Sequence, residues 1–466
     1  MKTLLKQWRS DKLKTAVTLF WLLTVFFGFF GSTIFLVKVP GLPALYPFRV
    51  LLPVTTLLYL VWAVREKRNI WKLASFAQRV CYVLCVILIV YGTLSLFTAV
   101  DYEFTFTLWI TLCFNLVFFA LALELCSDRK LFTWTLYCAL AVTLIHMVMG
   151  FIEIFRGGFF TTRFYEVFFF LGRHLTSPAV SAGNPNDYSM MLVFMMALVL
   201  LYWAWRGHDE KLNWVPVVMI PPVYFLLGAS YARLCTLAFW IIVAAFAMYT
   251  LTSGKLVRKV LIPVVLLLAA TVAFVAYGDD LQRMSRPAQQ ETAVAEMVMD
   301  IPEEMVPAAD HLPVAVPEEE PVMETSGAVR IDLLLHAWNC FKESRGMGVG
   351  LGNTAQLAKA TAARRGGVWA IHCFLARMTA DFGIWFLIPL LLIAYQMFQS
   401  GVKYVLRERK KGSRPGVMTG VLYLACILIY PIASTAPGDA QNSMPMWLFL
   451  SSLVLFPALA RENGDV

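Results

Sequence analysis

The run AVTLFWLLTVFFGFFGSTIFLVKV, residues 16–39, is long enough to cross a bilayer as a helix, which takes roughly 20 apolar residues. It is too long for a cleaved signal core and no small-residue cleavage site follows, so it is expected to remain as a first span. Comparable runs recur along the chain at approximately 43–64, 80–100, 104–126, 131–155, 187–205, 212–229, 234–252, 260–278, 371–399, 416–435 and 443–460. With the first trimmed to 16–38, they make about twelve spans. Composition agrees: 59% of the 466 residues are hydrophobic and 15% charged, against an apolar share of roughly 45–50% in soluble domains. The expected fold class is an all-α polytopic membrane protein.

The formal charge of +9 would suit a nucleic-acid partner, but its distribution argues for a membrane. Lys and Arg concentrate in MKTLLKQWRSDKLK (1–14), REKRNIWK (65–72), KLVRK (255–259) and KYVLRERKKGSRPG (403–416). These are alternate short connections, the positive-inside pattern, and they put both termini in the cytoplasm. Three features then share the outer face: the loop 156–186 with Arg163, Arg173 and His174, the tight connection GASYAR (228–233), and the long connection 279–370. The organisation is therefore a membrane part with spans one to nine (1–278), an extracytoplasmic loop (279–370), and spans ten to twelve (371–466). Within the loop, 287–326 is acidic, Pro-rich and free of Lys and Arg, which reads as a flexible insertion with no packed core. The nine cysteines show no disulfide or zinc spacing. Cys340 and Cys373 fall on one side of the membrane, where isolated thiols are commonly unpaired.

Polar and ionisable residues crowd one place, Gly327–Gly383. In AVRIDLLLHAWNCFKES, Val329, Leu333, Ala337, Cys340 and Phe341 recur near helical spacing, which predicts an amphipathic helix. GMGVGLGN follows; it lacks the Lys-Ser/Thr of a phosphate-binding loop and reads as turns permitting close backbone approach. An arginine at a span end needs water, a counter-ion or an anionic ligand, and Arg233, Arg330, Arg364, Arg365 and Arg377 all fall on the outer face with Arg163 and Arg173. Guanidinium forks suit a lipid diphosphate, whereas Asp187, Asp332 and Asp381 are the competing internal counter-ions. His372, at the start of a span, could accept a proton from an attacking hydroxyl; His336 is a weaker candidate for the same task.

Three segments together resemble the superfamily of O-antigen ligases and O-antigen polymerases. They are GNPNDYSMML (183–192), the Ser230–Arg233 turn, and an Arg before a helix followed by Gly-x-Gly-x-Gly-Asn, a His and Asp381-Phe382-Gly383-Ile384. Here Tyr231 and Ala232 separate the Ser from the Arg, Cys373 stands where Asn usually follows the His, and Asp381 replaces the more usual Glu. The resemblance implies a GT-C-like, metal- and cofactor-independent, inverting glycosyltransferase of the bacterial cytoplasmic membrane with its active site facing outward. It would move a glycan from an undecaprenyl diphosphate carrier to an acceptor hydroxyl. By the same resemblance Arg233 and Arg330 bind the diphosphate and His372 is the base. The substrate-binding set expected around them is Arg163, Arg173, Asn184, Asn186, Arg364, Arg365 and Arg377. Expected partners are the lipid-linked oligosaccharide, a glycan or lipid-anchored acceptor, membrane lipids and polysaccharide-assembly proteins. A transporter or flippase for a lipid-linked sugar would use the same arginines without chemistry, and a noncatalytic scaffold would leave them unexplained. Transporters tend to show related halves with helices broken at the midplane, neither of which is evident here.

Overall fold

The computed structural model describes residues 11–31, 45–156, 167–170, 173–182, 184–206, 215–252, 326–362, 365, 368–436 and 443–460. The expected span 260–278, nearly all of the acidic insertion, Arg163 and Arg364 lie outside these residues. The described parts of the other expected spans fall largely on helix: α1 (Lys12–Phe30), α2 (Pro47–Arg65), α3 (Phe76–Ser95), α4 (Tyr102–Leu125), α5 (Arg129–Arg156), α6 (Pro185–Arg206), α7 (Val215–Ala229) and α8 (Arg233–Thr252). The late part adds α9 (Ser326–Glu343), α10 (Asn353–Lys359), α11 (Phe374–Phe382), α12 (Ile384–Lys410), α13 (Arg414–Ala433) and α14 (Met444–Leu459). Among the described residues nine helices are long and apolar enough to cross a membrane, and two shorter apolar helices, Met219–Ala229 and Met444–Leu459, accompany them. This is a multi-pass membrane architecture. A two-stranded antiparallel hairpin, β1 (Val167–Phe170) with β2 (Arg173–Thr176), is the exception to the helical pattern and pairs Phe170 with Arg173.

Local sequence sets the helix boundaries. Ser75 and Gln78 form a capping box at the start of α3, and Asp101 accepts the Phe104 N–H at the start of α4. Ser413 caps α13, with Pro415 in its first turn. The helix α6 is the axis of the bundle. Its apolar window is 94% buried, against 28–50% for the other spans, and it packs against α5, α7, α8, α13 and α14. The outer helices leave residues such as Leu57, Val86 and Leu391 exposed, as expected where lipid replaces protein as the neighbour.

Hydrogen bonds sort the helix ends into two sets. At the loop end, the Asn353 amide donates to Thr98 O, the Phe374 N–H to Ser434 O, the Cys235 thiol to Ala433 O, and the Ser177 hydroxyl to Ala229 O. At the opposite, basic end, Arg68 pairs with Glu124 at 2.9 Å, Lys14 with Asp128 at 3.6 Å, and Thr419 donates to Ala204 O.

The expectation of one continuous helix over 371–399 is corrected. The chain breaks at Gly383, whose φ is +63°, between the short α11 and the spanning α12. The cause lies in the glycine run: the Ile384 N–H donates to Gly346 O at 2.8 Å, so the loop's backbone takes over the hydrogen bonding that a continuous helix would use. Gly346, Gly348, Gly350 and Gly352 all have positive φ, as the turn reading of GMGVGLGN requires. A Cβ on Gly348 would lie 2.5 Å from Asp381 O and 2.7 Å from Gly383 N. Gly348→Ala is therefore expected to cost on the order of 2–3 kcal/mol, read as a lowered unfolding temperature of the purified protein in detergent.

Candidate functional site

The loop end is built around a small cap. Val329, Leu333, Ala337 and Cys340, one face of α9, are buried together with Ala358, Ile371 and Ala380. The predicted helical stripe of 329–340 is thus what docks α9 onto α10 and α11. On its other face Ile331, Leu335 and Trp338 stay exposed. His336 lies within the cap: its Nε2 is 3.1 Å from Thr354 O and 3.5 Å from the Cys340 sulfur. That placement makes it a joint between α9 and α10, and burial pushes the Cys340 thiol up to about 11, away from nucleophilic work.

Asp381 is the centre of the cap. Its carboxylate accepts the Gly352 N–H at 3.0 Å, the Thr354 N–H at 3.2 Å and the Thr354 hydroxyl at 2.5 Å, and Arg377 Nε lies 3.9 Å away. Burial raises the carboxyl above the ordinary carboxylate range, while Arg377 and the hydrogen bonds from Thr354 and Gly352 oppose that rise. The backbone completes the clamp, with the Val349 N–H donating to Ala380 O and the Gly350 N–H to Asp381 O. From the other side Tyr91 donates its hydroxyl to Met347 O, and Asn353 Oδ1 accepts the Val100 N–H. Asn353 was visible in the sequence as the last residue of the glycine run; Tyr91 sits in an ordinary-looking span and carried no local signal.

The sequence-predicted residues divide by exposure. Arg365, expected to bind substrate, is 2% exposed and committed internally: Nε donates to Asp332, Nη1 to Ala358 O and Nη2 to Thr361 Oγ1. The competing internal pairing with Asp332 is the one this geometry realises, and it latches the 358–365 segment to α9. Arg377 is 5% exposed beside Asp381. Asn184 accepts the Asn186 N–H through Oδ1 and the Tyr188 N–H through its carbonyl, so it caps α6, with Pro185 as the first helical residue; Asn186 is half-buried in the same turn. Arg173 lies on β2.

Arg233 and Arg330, in contrast, are exposed, and His372 is half-buried between buried Ile371 and the start of α11. Their segments converge. Cys373, next to His372, has its sulfur 3.8 Å from Thr435 Oγ1, and the following Phe374 N–H donates to Ser434 O. Cys235, two residues beyond Arg233, donates to Ala433 O. Ile371 packs in the same cluster as Val329, the neighbour of Arg330. The end of α13 is thus the common seat of the His372 turn and the start of α8, and α9 packs against Ile371 beside that turn. Arg233 is the first residue of α8, where its charge opposes the helix dipole; an anion at that point would be favoured by both.

The arrangement defines a multi-pass helical membrane protein with a clamped cap over one end of its bundle. No protein-family profile matches the chain. The chain is similar to the teichuronic acid biosynthesis protein TuaE of Bacillus subtilis (strain 168), 27% identical over 143 residues, a stretch covering 30% of this chain and 28% of that protein.

The latch is testable apart from function. Asp332→Ala leaves the Arg365 guanidinium buried without its carboxylate, a change that costs about 3–5 kcal/mol. Hydrogen exchange of 353–371 should rise sharply in Asp332→Ala while exchange in α6 stays at the wild-type level; unchanged exchange in 353–371 would refute the latch.

Proposed function

We propose that the protein is a membrane glycosyltransferase of surface-polysaccharide biosynthesis. It transfers a glycan from a polyprenyl diphosphate carrier to an acceptor hydroxyl on the extracytoplasmic face. The observation that carries the reading is the meeting of the Arg233 and His372 segments at the end of α13, with the Arg330 helix packed against Ile371. The similarity to a teichuronic acid biosynthesis protein and the resemblance to the O-antigen ligase and polymerase superfamily, with its GT-C-like architecture of about twelve spans, support it. The positive-inside pattern supports placing the cap outside the cytoplasmic membrane.

In this reading the acceptor oxygen attacks the anomeric carbon as the bond to the diphosphate oxygen breaks, with inversion. His372 takes the proton of the attacking hydroxyl. Arg233 and Arg330 hold the diphosphate, whose negative charge grows as it leaves; fixed cations at a developing charge are worth more in the transition state than in the ground state. The Arg233 end of α8 adds the positive pole of its dipole to that stabilisation. Arg163, Arg173, Asn186 and Arg364 are proposed as further contacts to the donor, while Asn184, Arg365 and Arg377 act through the local structure they hold.

The test is glycan transfer by the purified full-length protein from a lipid-linked donor, resolved by gel. Arg330→Ala and His372→Ala are each expected to lower the rate roughly 100- to 1,000-fold with normal expression and elution. Full transfer in either variant would falsify the assignment of that residue. In a deletion strain, single-repeat chains would identify a polymerase and full-length chains left on the carrier a ligase.

A further inference from the structure

The helix α9 carries a second apolar stripe that the cap does not use. Ile331, Leu335 and Trp338 recur at helical spacing opposite the docked face, and each is more than half exposed. Leu334 and Phe341 flank that stripe on one side and are half-buried, whereas Asp332, Asn339 and Glu343 line the other flank. A helix docked by one apolar face and otherwise facing water would be polar around the rest of its circumference. A contiguous apolar stripe set off from a polar flank calls for a second apolar neighbour.

The backbone fixes where that stripe lies. The short helix α11 joins two points at the membrane end of the bundle: the Phe374 N–H at its start donates to Ser434 O at the end of α13, and Gly383 at its end opens the spanning α12. It therefore lies across the bundle end. Beside it packs α9, through the cluster that joins Leu333, Ala337 and Cys340 to Ala380. The far end of α9 is pinned at the level where α12 begins, because Gly346 accepts the Ile384 N–H at 2.8 Å. A Cβ on Gly346 would lie 3.5 Å from the Phe341 ring and 3.6 Å from the Ile384 side chain, which makes those two near neighbours. Trp338 stacks on Phe341 with centroids 5.5 Å apart, and just beyond Ile384 the helix α12 exposes Trp385 and Ile388. The apolar surface of α9 thus continues through Phe341 and Ile384 toward the exposed apolar surface of a spanning helix.

We infer that α9 is an interfacial helix whose second apolar stripe is seated in the bilayer, at the boundary between head groups and acyl chains of the leaflet at the loop end. Ile331, Leu335 and Trp338 enter that boundary, the depth at which tryptophan is enriched in membrane proteins. Lys342 and Arg345, exposed at the end of the stripe, extend from apolar stems to lipid phosphates. Asn339 and Glu343, on the other flank, are left to water. Lipid is the occupant because the stripe is continuous with the surface of a spanning helix and ends in cations. This contact stands without the transfer reaction. Joined to the proposed function, on which this consequence rests, it holds Arg330, the neighbour of Ile331, at the depth of a lipid-linked diphosphate.

The experiment uses the full-length protein in vesicles of phosphatidylglycerol and phosphatidylcholine. It is photolabelled either by a phosphatidylcholine with a diazirine on its acyl chain or by a water-soluble diazirine, and labelled residues are mapped by mass spectrometry. Lipid-borne label should reach Ile331, Leu335 and Trp338 as it reaches Ile388 of α12, while Asn339 and Glu343 take label from water. The variant Ile331→Gln/Leu335→Gln, changed at two exposed positions, should lower lipid-borne labelling of Trp338 roughly tenfold, the worth of withdrawing apolar surface of that size from the membrane. Labelling of Ile388 at the wild-type level controls for folding. Labelling of the stripe from water alone would overturn the proposal. So would the absence of label from both probes, which would mean that protein covers the stripe; zero-length crosslinks from Lys342 would then assign the cover to residues 287–326 or to a second copy of the chain.

Discussion

The buried carboxylate of Asp381 is the constraint on which the loop end depends. A carboxylate at 1% exposure is tolerated only when its lone pairs are occupied, and here they are, by two backbone N–H groups and a hydroxyl. The donors come from the last glycine of the run and from Thr354 just beyond it. The carboxylate therefore fixes α10 and the Gly346–Gly352 turns against α11, and the turns in turn end α11 through the Gly346–Ile384 bond. The break between α11 and α12, the seat of the His372 turn and the docking of α9 all follow from one side chain being satisfied.

That dependence explains which parts of the protein could be read in advance. The spans were legible because membrane length and apolarity are local properties, and α9 was legible because its buried stripe has helical spacing. The four positive-φ glycines were expected as turns for the same local reason. The break at Gly383 was hidden, since Phe374–Phe382 continues into the apolar run of α12 and only a contact with residues some 35 positions earlier redirects it. The internal pairing of Arg365 was one of two open readings for a related cause: its partner Asp332 lies on another helix, and charge type alone does not say whether a cation faces a ligand or a neighbour. The pairing reduces the outward arginines that need an external anion, and Arg233 and Arg330 remain exposed, as does Arg345 before the glycine run.

The Asn-Pro-Asn turn shows how a motif can be structural without being irrelevant to the site. Asn184 caps α6, and α6 is the most enclosed helix of the bundle. Nearby, Glu153 of α5 accepts the Ala179 and Val180 N–H groups, His146 bonds Ser181, and Ser181 reaches Phe29 O at the end of α1. These bonds tie the approach to α6 into the bundle at the loop end, adjacent through Ser177 to the turn before α8. The position of Arg233 is thus set from two sides, by this polar network and by the end of α13.

The two ends of the bundle solve the same electrostatic problem in different ways. At the basic end, cations are numerous, solvated at the rim and partly neutralised in place, as with Arg68 by Glu124 and Arg407 by Glu408. At the loop end, three acidic groups are held by internal donors, Asp381 by the glycine loop, Asp332 by Arg365 and Glu153 by backbone amides, while Glu103 and Glu343 stay exposed. Carboxylates held inward do not screen cations held outward. An exposed arginine placed against the dipole of its own helix, as Arg233 is, is stable in that surrounding because water can reach it, and it gains most when an anion does. The cap therefore does more than cover the bundle. By holding Asp381 and Asp332 on internal donors it removes two counter-ions from the neighbourhood of its cations, which is what the proposed diphosphate site requires.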